Sequence, residues 1–250
     1  MKRSFIAIMI LVSFGLFAIA QTVLDTFEEG EVAYRAGNYG KALKVWLPLA
    51  QAGDARAQLA VGVMYDHGEG VASDFPMAFE WYRKAADQGS ADAQAFVGIM
   101  YALGRGVAQN DGQAVEMLRE GAEQGSARAC ALLGDMYSWG RGVPRDSAIA
   151  DDYYRKAVRL EQAAAEKGDA SAKAAIGFAY STGHGVQKDE KRAFELVRSA
   201  AEAGDRIAQF NLSYMFAKGV GVMPDKKQAA EWYRRACRRP CVFPDESKIP

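Results

Sequence analysis

Two histidines and three cysteines are the whole supply of imidazole and thiol in this 250-residue chain. A nucleophile–base pair, a zinc site or a dithiol couple would have to be built from them. His67 and His184 both stand at Gly-x-Gly loops, but His67 precedes the first glycine and His184 lies between the two, so they do not define one recurring site. Cys237 and Cys241 are separated by Arg-Arg-Pro, and an oxidising compartment would let them close a small loop that staples the tail. Cys130 lies two repeats away in the pattern described below and is expected to be an unpaired thiol. Three cysteines without a Cys-x-x-Cys make neither a good zinc site nor a redox couple. The Gly-x-Gly-Val loops are not phosphate loops, because they follow helices and lack both a third glycine and a Lys-Ser/Thr. No serine, cysteine or carboxylate pair stands out from its place in the pattern. Neither catalysis nor a cofactor or metal is expected.

The elements that position these residues repeat. A glycine preceded by a polar residue or alanine recurs at Gly53, Gly89, Gly125, Gly168 and Gly204, and Gly-x-Gly-Val loops begin at Gly68, Gly104, Gly140, Gly183 and Gly219. Both series step by 36, 36, 43 and 36 residues, a period that marks a solenoid. Each repeat reads as two helices. The first opens on a capping residue, Asp54, Ser90, Ser126, Asp169 or Asp205, and ends at the loop, where glycine suits a helix C-terminus. The second opens on Asp74, Asn110, Asp146, Asp189 or Asp225 and stops at the next hairpin glycine.

Comparison of the copies separates packing from surface. The first helix holds Ala57, Val61 and Tyr65 at i, i+4 and i+8, with counterparts in every copy, so these residues share one face. Beside them Gly62, Gly98, Gly134 and Gly177 form a column that Ser213 ends. Helix-interior glycine costs roughly 1 kcal/mol against alanine. The column therefore implies that a neighbouring helix backbone passes too close for a Cβ. The second helix holds Ala78, Ala114, Ala150, Ala193 and Ala229, followed by bulky pairs such as Trp81/Tyr82 and Tyr153/Tyr154.

These units resemble Sel1-like repeats, relatives of the tetratricopeptide repeat. The resemblance rests on Ala57, Gly62, Tyr65, Gly68, Gly70, Val71, Asp74, Ala78, Trp81, Tyr82, Ala85 and Gly89, and on their counterparts through about residue 238. It implies an all-α solenoid, a right-handed superhelix of stacked antiparallel helix pairs, used for protein–protein interaction. Some cysteine-rich secreted relatives are linked to β-lactam binding or hydrolysis. Their regularly paired cysteines are missing here, which leaves β-lactamase-like activity a remote alternative.

The expected domain organisation starts with a signal peptide at 1–20. Lys2 and Arg3 precede an apolar run that closes on Ala18-Ile19-Ala20, and Gln21 rather than a lipidated cysteine follows. An uncleaved anchor is the alternative reading, but the run falls short of the ~20 residues a spanning helix needs. Residues 21–53 form a tetratricopeptide-like helix pair that lacks the loop expansion. Five repeats follow at 54–89, 90–125, 126–168, 169–204 and 205–239, then a proline-containing tail at 240–250. Lysines plus arginines equal aspartates plus glutamates at 31 each, so no nucleic-acid footprint exists, and removing Lys2 and Arg3 leaves a slight acidic excess. The expected product is an exported protein with no stable membrane anchor after signal cleavage, periplasmic or, alternatively, secreted.

Function is sought in positions that vary between copies. Along the first helices these include Ile99, Leu103, Trp139, Phe178, Phe210 and Tyr214, an apolar set at helical spacing from the packing face. First helices line the concave surface of such superhelices, and an exposed aromatic stripe marks a binding surface. The expected ligand is a partner protein, for an envelope scaffold or for a secreted factor that binds a host protein. The seven extra residues of the third repeat are expected to extend its second helix by two turns without rotating it. That extension would protrude around Ala157–Ala163 as a docking ridge or as plain length variation.

Overall fold

The computed structural model describes residues 26–237, and every regular element among them is an α-helix. The expected signal peptide at 1–20 and the tail at 240–250 lie outside them. No helix of the described residues is long and apolar enough to cross a membrane. The chain divides after Asn110 into two compact units. The first contains α1 (residues 26–35), α2 (Tyr39–Gln51), α3 (Ala55–His67), α4 (Phe75–Ala86) and α5 (Ala91–Leu103). The second contains α6 (Asp111–Glu123), α7 (Ala127–Trp139), α8 (Ser147–Glu166), α9 (Ala170–Thr182), α10 (Glu190–Glu202), α11 (Arg206–Lys218) and α12 (Lys226–Ala236). Within each unit, from α2 onwards, consecutive helices pack on one another, the all-α solenoid arrangement of stacked pairs.

Local chemistry sets the boundaries. The side chains of Asp54, Ser90, Ser126, Asp169 and Asp205 accept from first-turn N–H groups of α3, α5, α7, α9 and α11. Those helices all end on a left-handed glycine of the Gly-x-Gly loop. The loop then closes when the N–H of the second cap bonds back to the first helix, as Asp146 does to the Tyr137 carbonyl at 3.0 Å and Asp189 to that of Tyr180 at 2.9 Å. Asp189 in turn accepts from the N–H of Arg192 at 3.0 Å. Asp189→Ala is expected to cost about 1 kcal/mol of stability. The urea midpoint measures it.

The repeated columns form the core. Ala57, Ala93, Ala129, Ala172 and Ala208 are buried, as are Val61, Val97, Leu133, Ile176 and Leu212 one turn later and Ala78, Ala114, Ala150, Ala193 and Ala229 on the second helices. At Gly62 and Gly134 the glycine column has a different cause from the expected backbone approach, which holds at Gly177. A Cβ on Gly62 or Gly134 would come within 2.6 Å of the ring of Tyr82 or Tyr154. At Gly177 the nearest atom is Cγ2 of Val197, with the Ala193 carbonyl oxygen 3.2 Å away. Small residues here make room mainly for large side chains of the paired helix.

The expected docking ridge also needs correction. α8 has 20 residues where α6 and α10 have 13. α7 pairs with its N-terminal part, where Tyr137 stacks on Tyr153 at 5.8 Å and Gly134 abuts Tyr154. α9 pairs with the C-terminal part. The second glycine of a Gly-x-Gly loop normally presses on the first residue of the preceding second helix, Gly142 on Asp111 and Gly221 on Glu190. Gly185 instead meets Tyr154 and Arg155, well inside α8. The added length is absorbed as an offset of about two turns, roughly 10 Å, between the helices flanking α8. Ala157 and Val158 are buried by it and do not protrude, while Gln162 and Ala163 of the same stretch are exposed.

Candidate functional site

Five of the six variable apolar positions are exposed. Leu103 belongs to the first unit and is 56% exposed, while Ile99, one turn earlier, is half-buried. In the second unit Trp139 is 64% exposed, Phe178 58%, Phe210 54% and Tyr214 56%. All four stand on first helices, at the end of α7, in the middle of α9 and on successive turns of α11. Phe210 also leans on Tyr233 of α12, with ring centroids 6.0 Å apart. The sequence pattern therefore located large apolar side chains that are not consumed by repeat packing.

The offset along α8 produces a second feature that sequence reading did not single out. Between α7, α8, α9 and the start of α11 lies a cavity of about 340 Å³, lined by Ala131, Asp135, Tyr154, Val158, Ala174, Phe178 and His184 among others. Asp135 occupies a column that elsewhere holds Val63, Ile99, Phe178 and Tyr214, and its Oδ1 accepts from the Tyr154 hydroxyl at 2.6 Å. His184 stacks face to face on Tyr154, with centroids 4.2 Å apart and planes 14° from parallel. The middle residue of a Gly-x-Gly loop is a latch to the preceding pair. Arg141 bonds Asp111, Arg105 covers the Phe75 ring at 4.2 Å, and Glu69 accepts from the Tyr34 hydroxyl. Only the offset carries the His184 latch onto Tyr154. One available signal was Asp135 itself, a charge in an otherwise apolar column.

Burial holds the Asp135 carboxyl above the usual carboxylate range, against the Tyr154 hydrogen bond and His184, which both lower it. Burial also raises the Tyr154 phenol, and the bond to Asp135 and its charge add to that. A carboxyl whose folded pKa lies above its unfolded one favours folding when protonated, so its contribution declines as pH rises from the ordinary carboxylate value through the raised one. Asp135→Asn keeps an acceptor for Tyr154 and removes that burden. It is expected to raise the urea midpoint at neutral pH, with the difference vanishing below about pH 4.

Cys130 is free and buried, and burial raises its thiol pKa, which keeps it a poor nucleophile. It occupies the column of Gln58 and Gln209, whose side-chain amides donate to the Ala50 and Ala201 carbonyls at 3.1 and 3.2 Å. At Cys130 the equivalent Ala122 carbonyl accepts from Lys156 Nζ at 2.6 Å as well as from the Cys130 thiol at 4.0 Å. Cys237 is disulfide-bonded, and Cys241 lies outside the described residues. In the first unit a cleft of about 770 Å³ lies among Phe27, Trp46, Arg56, Leu59 and Val63.

The Sel1 repeat matches residues 55–90, 91–126, 127–169, 170–205 and 206–240. The chain belongs to the Sel1-repeat family. Such proteins typically serve as protein–protein interaction scaffolds and are generally non-catalytic. The chain is similar to a Sel1 repeat protein from Oxalobacter formigenes, at 37% identity and TM-score 0.50, with 84% of this chain and 83% of that one covered. It is also similar to c5321, a protective antigen of uropathogenic Escherichia coli with an SLR fold, at 32% identity and TM-score 0.51. That match covers 88% of this chain but 47% of the antigen, so the chain spans about half the antigen's length. An immunity protein from Pseudomonas aeruginosa, Pa5087, shares the fold at 20% identity and TM-score 0.50 over 83% of this chain and 81% of that one. No curated protein matches the chain.

Proposed function

We propose that this Sel1-repeat protein is an exported, non-catalytic scaffold that holds a segment of a partner protein against the first helices of its second unit. The observation that carries this reading is the exposure of Trp139, Phe178, Phe210 and Tyr214 on α7, α9 and α11. Aromatic side chains that packing leaves in water are the usual anchors of protein interfaces. The Asp135–Tyr154–His184 cluster argues for recognition over acid–base catalysis. The imidazole lies flat on the Tyr154 ring, so neither of its nitrogens is aimed at the phenol. The Tyr154 hydroxyl is already engaged as the donor to Asp135.

Affinity capture from an envelope extract, with the wild-type chain and the Trp139→Ala, Phe178→Ala variant as paired baits, tests the proposed groove formed by these first-helix side chains. A protein retained by the first and lost by the second supports it, and equal recovery contradicts it. Export to the periplasm rests on the Lys2-Arg3 and Ala18-Ile19-Ala20 pattern. The likeness to a protective antigen favours a second reading, a surface or secreted factor that meets a host protein. Fractionation of the native cell separates these readings, with the chain in the periplasm for the first and in the medium or on the surface for the second.

A further inference from the structure

We infer that the cavity beside Asp135 receives an arginine side chain of the partner, an assignment that rests on the groove reading above. Asp135 sits in the cavity wall, and its hydrogen-bond donor is the neutral phenol of Tyr154. No lysine or arginine among the described residues forms an ion pair with it. The other charged groups around the cavity are already engaged. Arg128 and Glu161 each have partners of their own, and Asp205 caps α11 through the N–H of Ala208 at 2.6 Å. Asp135 is thus a partly desolvated carboxylate with His184 nearby but no lysine or arginine paired to it. A carboxylate that accepts one hydrogen bond keeps acceptor capacity for more.

The shape of the cavity selects among cations. One wall is the flat stack of Tyr154 and His184, and Phe178 lies at its edge, more than half exposed. A guanidinium is planar, sheds water more readily than an ammonium, forks onto a carboxylate and stacks on aromatic faces. The alanines at 131 and 174 leave the approach open where Phe210 fills the same column of α11. Residues flanking the arginine would then lie on Trp139, Phe178 and Tyr214.

The test is selection of random twelve-residue displayed peptides on the purified protein, followed by synthesis of the strongest one and of its citrulline and lysine counterparts. Arginine should be enriched. Citrulline, neutral and nearly isosteric, should weaken binding by about tenfold to a hundredfold, and lysine by less. Asp135→Asn, which is expected to fold at least as well as wild type, should bind the arginine and citrulline peptides alike. Peptides without arginine enrichment, or an arginine preference that survives Asp135→Asn, overturn the assignment. If such peptides are still lost in Trp139→Ala, Phe178→Ala, the groove stands and only the arginine is wrong. Peptides indifferent to both sets of substitutions, or no selected peptide, overturn groove and assignment together.

Discussion

A chain carrying Trp139→Ala and Phe178→Ala folds as wild type does and binds its partner at least about a hundredfold more weakly. The two halves of this expectation come from one observation. Both side chains are more than half exposed, so truncating them removes little buried area and costs little folding energy. Aromatic side chains presented to a partner are where interface energy concentrates, at about 2 kcal/mol or more each when truncated. Two such losses that are not fully additive still exceed the roughly 2.8 kcal/mol that separates a hundredfold in affinity, taking ~1.4 kcal/mol per decade. Circular dichroism with a thermal melt reads the folding half. Titration calorimetry against the captured partner reads the other. A melt lowered as much as binding would mean that these rings belong to the packing of the repeat.

Gly185→Ala is expected to cost about 3 kcal/mol or more of stability. Gly185 has φ near +69, a region where a Cβ costs roughly 1–2 kcal/mol. The added carbon would also lie 2.5 Å from the backbone of Tyr154 and Arg155, and backbone inside a helix cannot rotate out of the way. Overpacking of that kind costs typically 1–3 kcal/mol more. Gly204→Ala is the control, because φ is near +94 there and nothing lies within 4 Å of the added atom. It should pay the conformational cost alone. Paired urea titrations decide the matter, since equal losses would mean that the loop does not press on α8. Because the His184 latch rides on this loop, Gly185→Ala should also weaken partner binding beyond its effect on stability.

What was legible in the sequence was what the chain encodes locally. The capping residues, the left-handed glycines at the ends of the first helices and the alanine columns each act within one helix or one loop, so comparison of the copies exposed them. The family resemblance followed from those columns. The offset along α8 was not legible. Seven residues add two turns wherever they fall, and only the position of α9 decides whether the extra length protrudes or is buried. The cavity depends on that offset, which is why Tyr154 read as one of a bulky packing pair and His184 as an isolated loop residue. Asp135 did carry a trace, as a charge among Val63, Ile99, Phe178 and Tyr214, but a single departure from a column does not show what it faces. The glycine column misled for a related reason. A small residue announces that something is close, and the sequence does not tell a ring from a backbone.

The exposed first-helix side chains of the second unit are expected to touch another protein. A photo-reactive amino acid placed at Trp139 in the native cell tests this with no assumption about the partner. One dominant cross-linked protein is expected from Trp139, lost when Phe178→Ala is added, and none from the same probe at Asp152 on the exposed side of α8. Capture of the same protein from Asp152 and not from Trp139 would place the interface on the second helices and exclude the first-helix surface.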